Sequence, residues 1–403
     1  MDVAVVGAGP AGAWAARKLA RAGARVTIFD SSHPREKPCG GGLTGRASTL
    51  VVRELGALPA PAVTVTGVRF ECAGRAPEQE LAASAGHCAT VPLVDRGVSP
   101  DSSLVVASRA ALDRGLLDAA LEAGAVLVAE RAVDVAAGRD GVTVRTRRAS
   151  YRAGLLVGAD GATSLVRRRL AGAFARRQLS LAAGYFVPGF QSREIAIRMV
   201  ADPPGYLWSF PRTDHLAVGV CAPGDSGARV ELLRRYTRAW IAAALPHSMA
   251  RAEPYSWPIP SLSEKDLAVP PPDGDRWLLL GDAAGLVDPL TREGIYYALL
   301  SGELAADAIA GGPERAAAGY RARVAAMVLP ELRRSAALAR GFFDAGFSRF
   351  VVRALADSAA VRAVTADLVA GRQPYIGLRR RLITTGRLDL AVRGFWAWRG
   401  FGY

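Results

Sequence analysis

The chain has 403 residues, 50% hydrophobic and 22% charged, which suits two or three domain-sized units and excludes a disordered protein. Its longest uncharged run, 178–192, contains Pro188 and falls short of the roughly 18 residues of a membrane-crossing helix. The net charge of +14 comes almost wholly from arginine, and Cys39, Cys72, Cys88 and Cys221 have no paired spacing, as expected of reduced thiols in a cytoplasmic protein.

Asp2 to Val6 reads as a buried strand. Gly7-Ala8-Gly9-Pro10-Ala11-Gly12 then opens a helix to about Arg21, and Arg25 to Phe29 forms a second strand ending at Asp30. This is a G-x-G-x-x-G inside a βαβ unit with an acid at the expected distance, the pattern of a dinucleotide site. Gly7 makes the turn, Gly9 lets a pyrophosphate approach the backbone, Gly12 lets helix and strand pack, and Asp30 is placed for the adenosine ribose. NAD and FAD remain open at this point.

Lys37-Pro38-Cys39-Gly40-Gly41-Gly42 precedes a helix-like segment from Thr44 to Leu55, so the backbone is expected to pass close to something. A strand-like stretch fills 61–94, then a strand at Leu104–Ala107, a helix at Arg109–Ala123 and short strands to Arg145. Leu155 to Gly158 is a buried strand ending near Asp160. Segments beginning at Leu181, Glu194, Tyr206 and His215 read as an antiparallel run, followed by a helix from Ala228 to Ala244. A further buried strand ends at Asp282, and everything from Ile295 reads as helical. Three acidic strand ends, Asp30, Asp160 and Asp282, favour a cofactor longer than NAD. FAD fits, with Asp282 as acceptor for its ribityl chain.

The fingerprint, Gly158-Ala159-Asp160-Gly161 and Gly281-Asp282-Ala283-Ala284-Gly285 together resemble FAD-dependent oxidoreductases of the p-hydroxybenzoate hydroxylase fold. Within them, Lys37 to Gly42 and Pro203-x-x-Tyr206-x-Trp208-x-Phe210-Pro211 resemble the geranylgeranyl reductase family. The resemblance spans about residues 2–310. It implies an α/β fold, α+β overall: a Rossmann-like FAD-binding domain (1–60, 100–176, 271–312), an inserted antiparallel-sheet substrate domain (61–99, 177–270) and a helical basic region (313–403). It implies non-covalent FAD held by Gly7, Gly9, Ala11, Gly12, Asp30, Gly40, Gly41, Arg109, Asp160, Asp282, Gly294 and Ile295. Tyr206, Trp208 and Phe210 would line a prenyl pocket, with Cys39 packed on flavin or substrate.

Two departures stand out. Arg292 replaces the glycine usual before Glu-Gly-Ile, and Cys221 replaces the second glycine of Gly-x-Gly after the aromatic motif. Arg292 therefore becomes a candidate for the substrate's acidic head group or for reduced flavin. Tyr255-Ser256-Trp257-Pro258-Ile259-Pro260 half-resembles a flavin-halogenase motif, but no lysine lies between Lys37 and Lys265 to support it. The four histidines have no metal-ligand spacing, and no metal or nucleic-acid site is expected.

The expected activity is saturation of isoprenoid double bonds, with electrons from NAD(P)H or a ferredoxin-type donor. A flavin monooxygenase acting on a hydrophobic or aromatic substrate is the alternative, and a non-catalytic assembly partner stands further off. From Pro313 onward sixteen arginines face six acids. Arg372, Arg379, Arg380, Arg381, Arg387, Arg393 and Arg399, with Phe395, Trp396, Trp398, Phe401 and Tyr403, suit peripheral contact with the anionic inner face of a membrane.

Overall fold

The computed structural model describes residues 1–72, 87–93 and 103–385. Five parallel strands form one sheet in the order Trp277–Leu279, Leu155–Gly158, Asp2–Val6, Arg25–Phe29, Val126–Val128. Asp2–Val6 is an almost continuous apolar run because helices cover the sheet. Helix Pro10–Arg21 packs on helix Ile295–Ala310 so closely that a Cβ on Gly302 would lie 2.8 Å from the Ala11 carbonyl oxygen.

A second, seven-stranded sheet runs Glu253–Pro260, Leu179–Pro188, His215–Pro223, Pro204–Pro211, Glu194–Ala201, Gly67–Cys72, His87–Pro92. Strand alternation divides its residues between two cores. Leu207 and Val218 pack with Leu233, Trp240 and Ile241 of helix Val230–Ala244. On the opposite face Phe70, Tyr206 and Trp208 meet Val352, Leu355 and Val361 of helices Ala345–Asp357 and Ala359–Val369. Asp344 and Ser358 cap these helices by accepting backbone N–H groups, which explains where each begins.

Several expectations change. Leu179–Pro188 does not pair with its neighbour in sequence, Glu194–Ala201. It lies between Glu253–Pro260 and His215–Pro223, while Glu194–Ala201 pairs in parallel with Gly67–Cys72. Hydrophobic alternation identifies strands but says nothing of which one is a neighbour. The halogenase-like Tyr255–Pro260 segment is simply the edge strand of this sheet, where its prolines are tolerated. Ser150–Ala153 forms an additional strand in a small antiparallel meander. Among the described residues no helix is long and apolar enough to cross a membrane. The aromatic tail from Arg387 lies outside the described residues, as does the middle of the strand-like stretch, 73–86.

Candidate active site

A cavity of about 1870 Å³ starts at the carboxyl ends of the parallel strands and continues beneath the seven-stranded sheet, roofed by the C-terminal helices. Every residue expected to bind cofactor or substrate lines it except Gly12, which lies just behind.

At the nucleotide end the backbone does most of the work. Gly7 has φ +104°, and a Cβ there would sit 2.4 Å from the Ala159 carbonyl oxygen. A Cβ on Gly12 would lie 1.9 Å from the Gly7 oxygen. Gly9 is different: its Cβ would meet only the His33 ring, at 3.5 Å, so this face stays open to the cavity. Helix Pro10–Arg21 starts here with no side chain capping it, leaving N–H groups and a positive helix end toward the cavity. These features fit a dinucleotide pyrophosphate.

Asp30 accepts hydrogen bonds from Ala8 N (2.8 Å), Ser32 N (2.6 Å) and His33 N (2.9 Å), and His33 Nδ1 lies 2.8 Å away. Burial would raise its pKa, but these bonds and His33 outweigh it and hold the carboxyl well below its ordinary range. Asp160 turns to its own helix, accepting from Ser164 Oγ (2.5 Å) and Leu165 N (2.6 Å). Its acidity is set mainly by burial, which raises the pKa. Asp282 forms an ion pair with Lys37 at 2.9 Å. Arg109 is buried and folds back along its helix onto Asp113, also at 2.9 Å.

The Cys39–Gly42 loop joins the nucleotide end to the substrate end. The close neighbour anticipated for its glycines is Phe210. A Cβ on Gly40 would lie 2.9 Å from that ring, and one on Gly42 3.0 Å. Gly41, at φ +80°, passes beneath Arg212. Arg212 is fully buried, donates to the Cys39 carbonyl at 2.5 Å and pairs with Glu36. Burial lowers its pKa to about 10. Glu36 also accepts from Ser108 Oγ (2.7 Å) and Arg109 N (3.0 Å), capping the helix Arg109–Glu122. Sequence reasoning missed both Glu36 and Arg212. The available signal was a charged residue immediately after Pro211, at the end of a buried strand.

Tyr206 and Trp208 do share a face, with ring centroids 5.8 Å apart. Tyr206 also stacks on Phe343 at 5.7 Å, a roof residue that no sequence pattern singled out. Gly219 stands opposite Trp208, where a Cβ would lie 2.6 Å from the indole, and Cys221 stands opposite Tyr206. The Tyr206 hydroxyl donates to the Thr291 carbonyl at 2.8 Å, and burial pushes its pKa well above the ordinary tyrosine value.

Arg292 adopts φ +61°, the left-handed region that favours glycine, which accounts for the glycine usual at this place. Its Nη1 donates to the Pro289 carbonyl, while its Nε is buried with no hydrogen-bond partner among the described residues. The guanidinium acts on both Cys221 and Tyr206. The two departures from the family pattern, far apart in sequence, therefore meet in space. Next along the loop, Glu293 accepts from Thr44 Oγ1 at 2.7 Å and lies 3.8 Å from Arg46. Burial pushes its carboxyl up to about 7 despite that arginine.

An α/β scaffold with a parallel and a large mixed sheet, a glycine-cradled nucleotide end and an aromatic chamber in one cavity define a flavin-dependent oxidoreductase. A family model for the FAD binding domain matches residues 1–299, and the chain belongs to the geranylgeranyl reductase group of these FAD-dependent enzymes. It is 31% identical over 344 residues to the menaquinone reductase of Mycolicibacterium smegmatis, covering 77% of this chain and 76% of that one. It is 30% identical to the digeranylgeranylglycerophospholipid reductase of Methanothrix thermoacetophila, covering 77% and 79%. The fold matches a geranylgeranyl bacteriochlorophyll reductase-like protein of Thermoplasma acidophilum with TM-score 0.72 at 20% identity, covering 95% and 98%.

Proposed function

We propose that the enzyme saturates carbon–carbon double bonds in an isoprenoid chain carried by a lipid, quinone or diphosphate. The observation that carries this reading is the chamber. Beyond the Tyr206–Trp208–Phe210 wall the cavity runs on between apolar side chains of the roof, including Phe347, Val361, Val364, Leu368 and Leu382. Such a lining suits a long hydrocarbon and gives a small polar substrate little to bind. Relatives named for menaquinone, digeranylgeranylglycerophospholipid and geranylgeranyl diphosphate reduction support the same class.

FAD would be held by the Gly7–Gly12 turn, the helix behind it, Asp30, the Cys39–Gly42 loop, Asp282 and the backbone at Gly294 and Ile295. When reduced, by NAD(P)H or a ferredoxin-type donor, it supplies a hydride equivalent. The protein's part is to exclude water, orient the alkene and manage charge. An isolated alkene accepts a hydride poorly unless it gains positive character, and the indole of Trp208 can favour that by cation–π attraction of about 0.5–2 kcal/mol. Tyr206 is less suited, because the Arg292 guanidinium beside it repels positive charge. Arg292 instead suits an oxygen of the substrate's head group.

The rim of the cavity near Arg379 exposes Ile376 and Ile383 beside Arg380, so the chain enters most simply from an anionic membrane surface. Equal co-sedimentation with anionic vesicles for the full chain and a version ending at Thr385 would remove the tail from this contact. The function itself is tested by mass spectrometry of lipids and quinones from cells with and without the protein. Side chains that lose hydrogens when the gene is deleted support the reading; an unchanged profile with loss of a hydroxylated compound supports the monooxygenase.

A further inference from the structure

Saturating an alkene adds a proton as well as a hydride equivalent, and an apolar chamber must obtain that proton from a side chain. Several acids and weak acids line the cavity, and most are tied up by their neighbours. Asp30 receives several hydrogen bonds that keep it ionised. Asp160 is bound to the start of its own helix, and Asp282 is paired with Lys37. Asp288 accepts from Leu290 N, Thr291 N and Ser335 Oγ at 2.5–2.9 Å, which ties it to its own loop and to helix Leu329–Ala339. The Tyr206 hydroxyl gives its hydrogen to Thr291 O, and its raised pKa makes it a poor acid, so the relay role that its position suggests does not suit it.

Glu293 remains. It lines the cavity, its side chain is 11% exposed, and it lies two residues from Thr291, which touches the aromatic wall through Tyr206. Among the described residues only Oε1 is engaged in a hydrogen bond, from Thr44; the Arg46 guanidinium stands 3.8 Å from Oε2, beyond hydrogen-bond distance. The charged and titratable groups around it are Arg46 on helix Gly45–Leu55, Asp288 on its own loop, and Tyr296 and Tyr297 on the following helix. Glu331, on helix Leu329–Ala339, acts on Arg46 and both tyrosines. Burial outweighs Arg46, so a carboxyl that is half protonated near neutral pH faces the chamber.

We propose that Glu293 is the proton donor of the double-bond saturation described above, an inference that rests on that reading. The alkene π pair takes the proton from Oε2, forming one C–H bond. The other carbon receives a hydride equivalent from reduced flavin, which is left oxidised. Glu293 is left as a carboxylate and is reprotonated from water before the next turnover.

The test uses FAD-loaded enzyme with two probes, geranylgeranyl diphosphate and a geranylgeranyl-substituted naphthoquinone. In wild type the saturation rate falls as pH rises through about 7, because the carboxyl must be protonated. Glu293→Gln keeps the size and the Thr44 contact, so it should bind FAD normally yet lose about a hundredfold or more in rate. Glu293→Asp should recover part of that loss. Arg46→Gln removes the charge that lowers the Glu293 pKa, and the falling limb should move to higher pH. Independently of activity, infrared difference spectra should show a protonated carboxyl band that titrates near pH 7 and is missing in Glu293→Gln. Saturation by Glu293→Gln at the wild-type rate with an unchanged pH profile overturns the donor, as does the absence of that band. Wild type that saturates neither probe, yet still shows the band, overturns the proposed function instead.

Discussion

The two ends of the cavity are built in different ways. At the nucleotide end the important groups are backbone atoms and short-range hydrogen bonds: Gly7, Gly9 and Gly12 within six residues, Asp30 bonded to Ala8, Ser32 and His33, and Asp160 bonded to Ser164 and Leu165. In the chamber each group comes from a different part of the chain. Tyr206 sits between Thr291 and Phe343, Arg292 reaches Cys221, and Glu293 meets Thr44 and Arg46. The first arrangement binds a cofactor common to a large family, so its constraints are backbone constraints. The constraints on the second are side-chain contacts over long sequence separations.

This contrast sets the size of the expected effects. Replacing Gly12 by Val should abolish FAD binding outright, because the new Cβ would lie 1.9 Å from a backbone oxygen that has nowhere to move. The purified variant should be colourless; a yellow, folded Gly12→Val protein would break the backbone account. Trp208→Leu should leave bound FAD intact and lower alkene reduction about tenfold or more, by loss of the cation–π wall. Single-turnover rates on the reduced enzyme distinguish this from lost cofactor.

Smaller effects concern stability. Glu293 titrates near 7 in the fold against 4.5 as a free side chain. A raised carboxyl pKa means that the native state loses stability as pH rises from about 4.5, with the loss complete above 7. Glu293→Gln should therefore gain up to about 3 kcal/mol relative to wild type between pH 5 and pH 8, read from urea unfolding at both values. A gain independent of pH would contradict the buried acid. Arg292→Gly should relieve a left-handed residue worth about 1–2 kcal/mol, offset in part by the greater freedom of glycine in the unfolded chain. A small rise in melting temperature is the expected outcome, and a fall of several degrees would show that the guanidinium holds the loop together.

The same contrast explains how much could be read from the sequence. The βαβ opening, the acidic strand ends and the shared face of Tyr206 and Trp208 follow from periodicity and short motifs, and the structure shows each of them. The arrangement of the seven-stranded sheet does not follow, because alternation in Leu179–Pro188 is the same whichever strand lies beside it. Glu36, Arg212 and Phe343 were not legible, since each matters through a partner more than a hundred residues away or through a single packed ring. Arg292 was visible as a departure from a familial glycine, but only the backbone angle of +61° shows what that glycine supplies, and only the fold brings Cys221 to it.

On the proposed function, electrons pass from bound flavin to an isoprenoid double bond. Anaerobic mixing of the reduced, FAD-loaded enzyme with a geranylgeranyl-substituted naphthoquinone tests it directly, with the flavin followed by absorbance and the product by mass spectrometry. The account predicts that flavin reoxidises without oxygen and that the side chain gains two hydrogens for each flavin oxidised. Flavin that stays reduced until oxygen is admitted, followed by a product carrying an added oxygen atom, would contradict it.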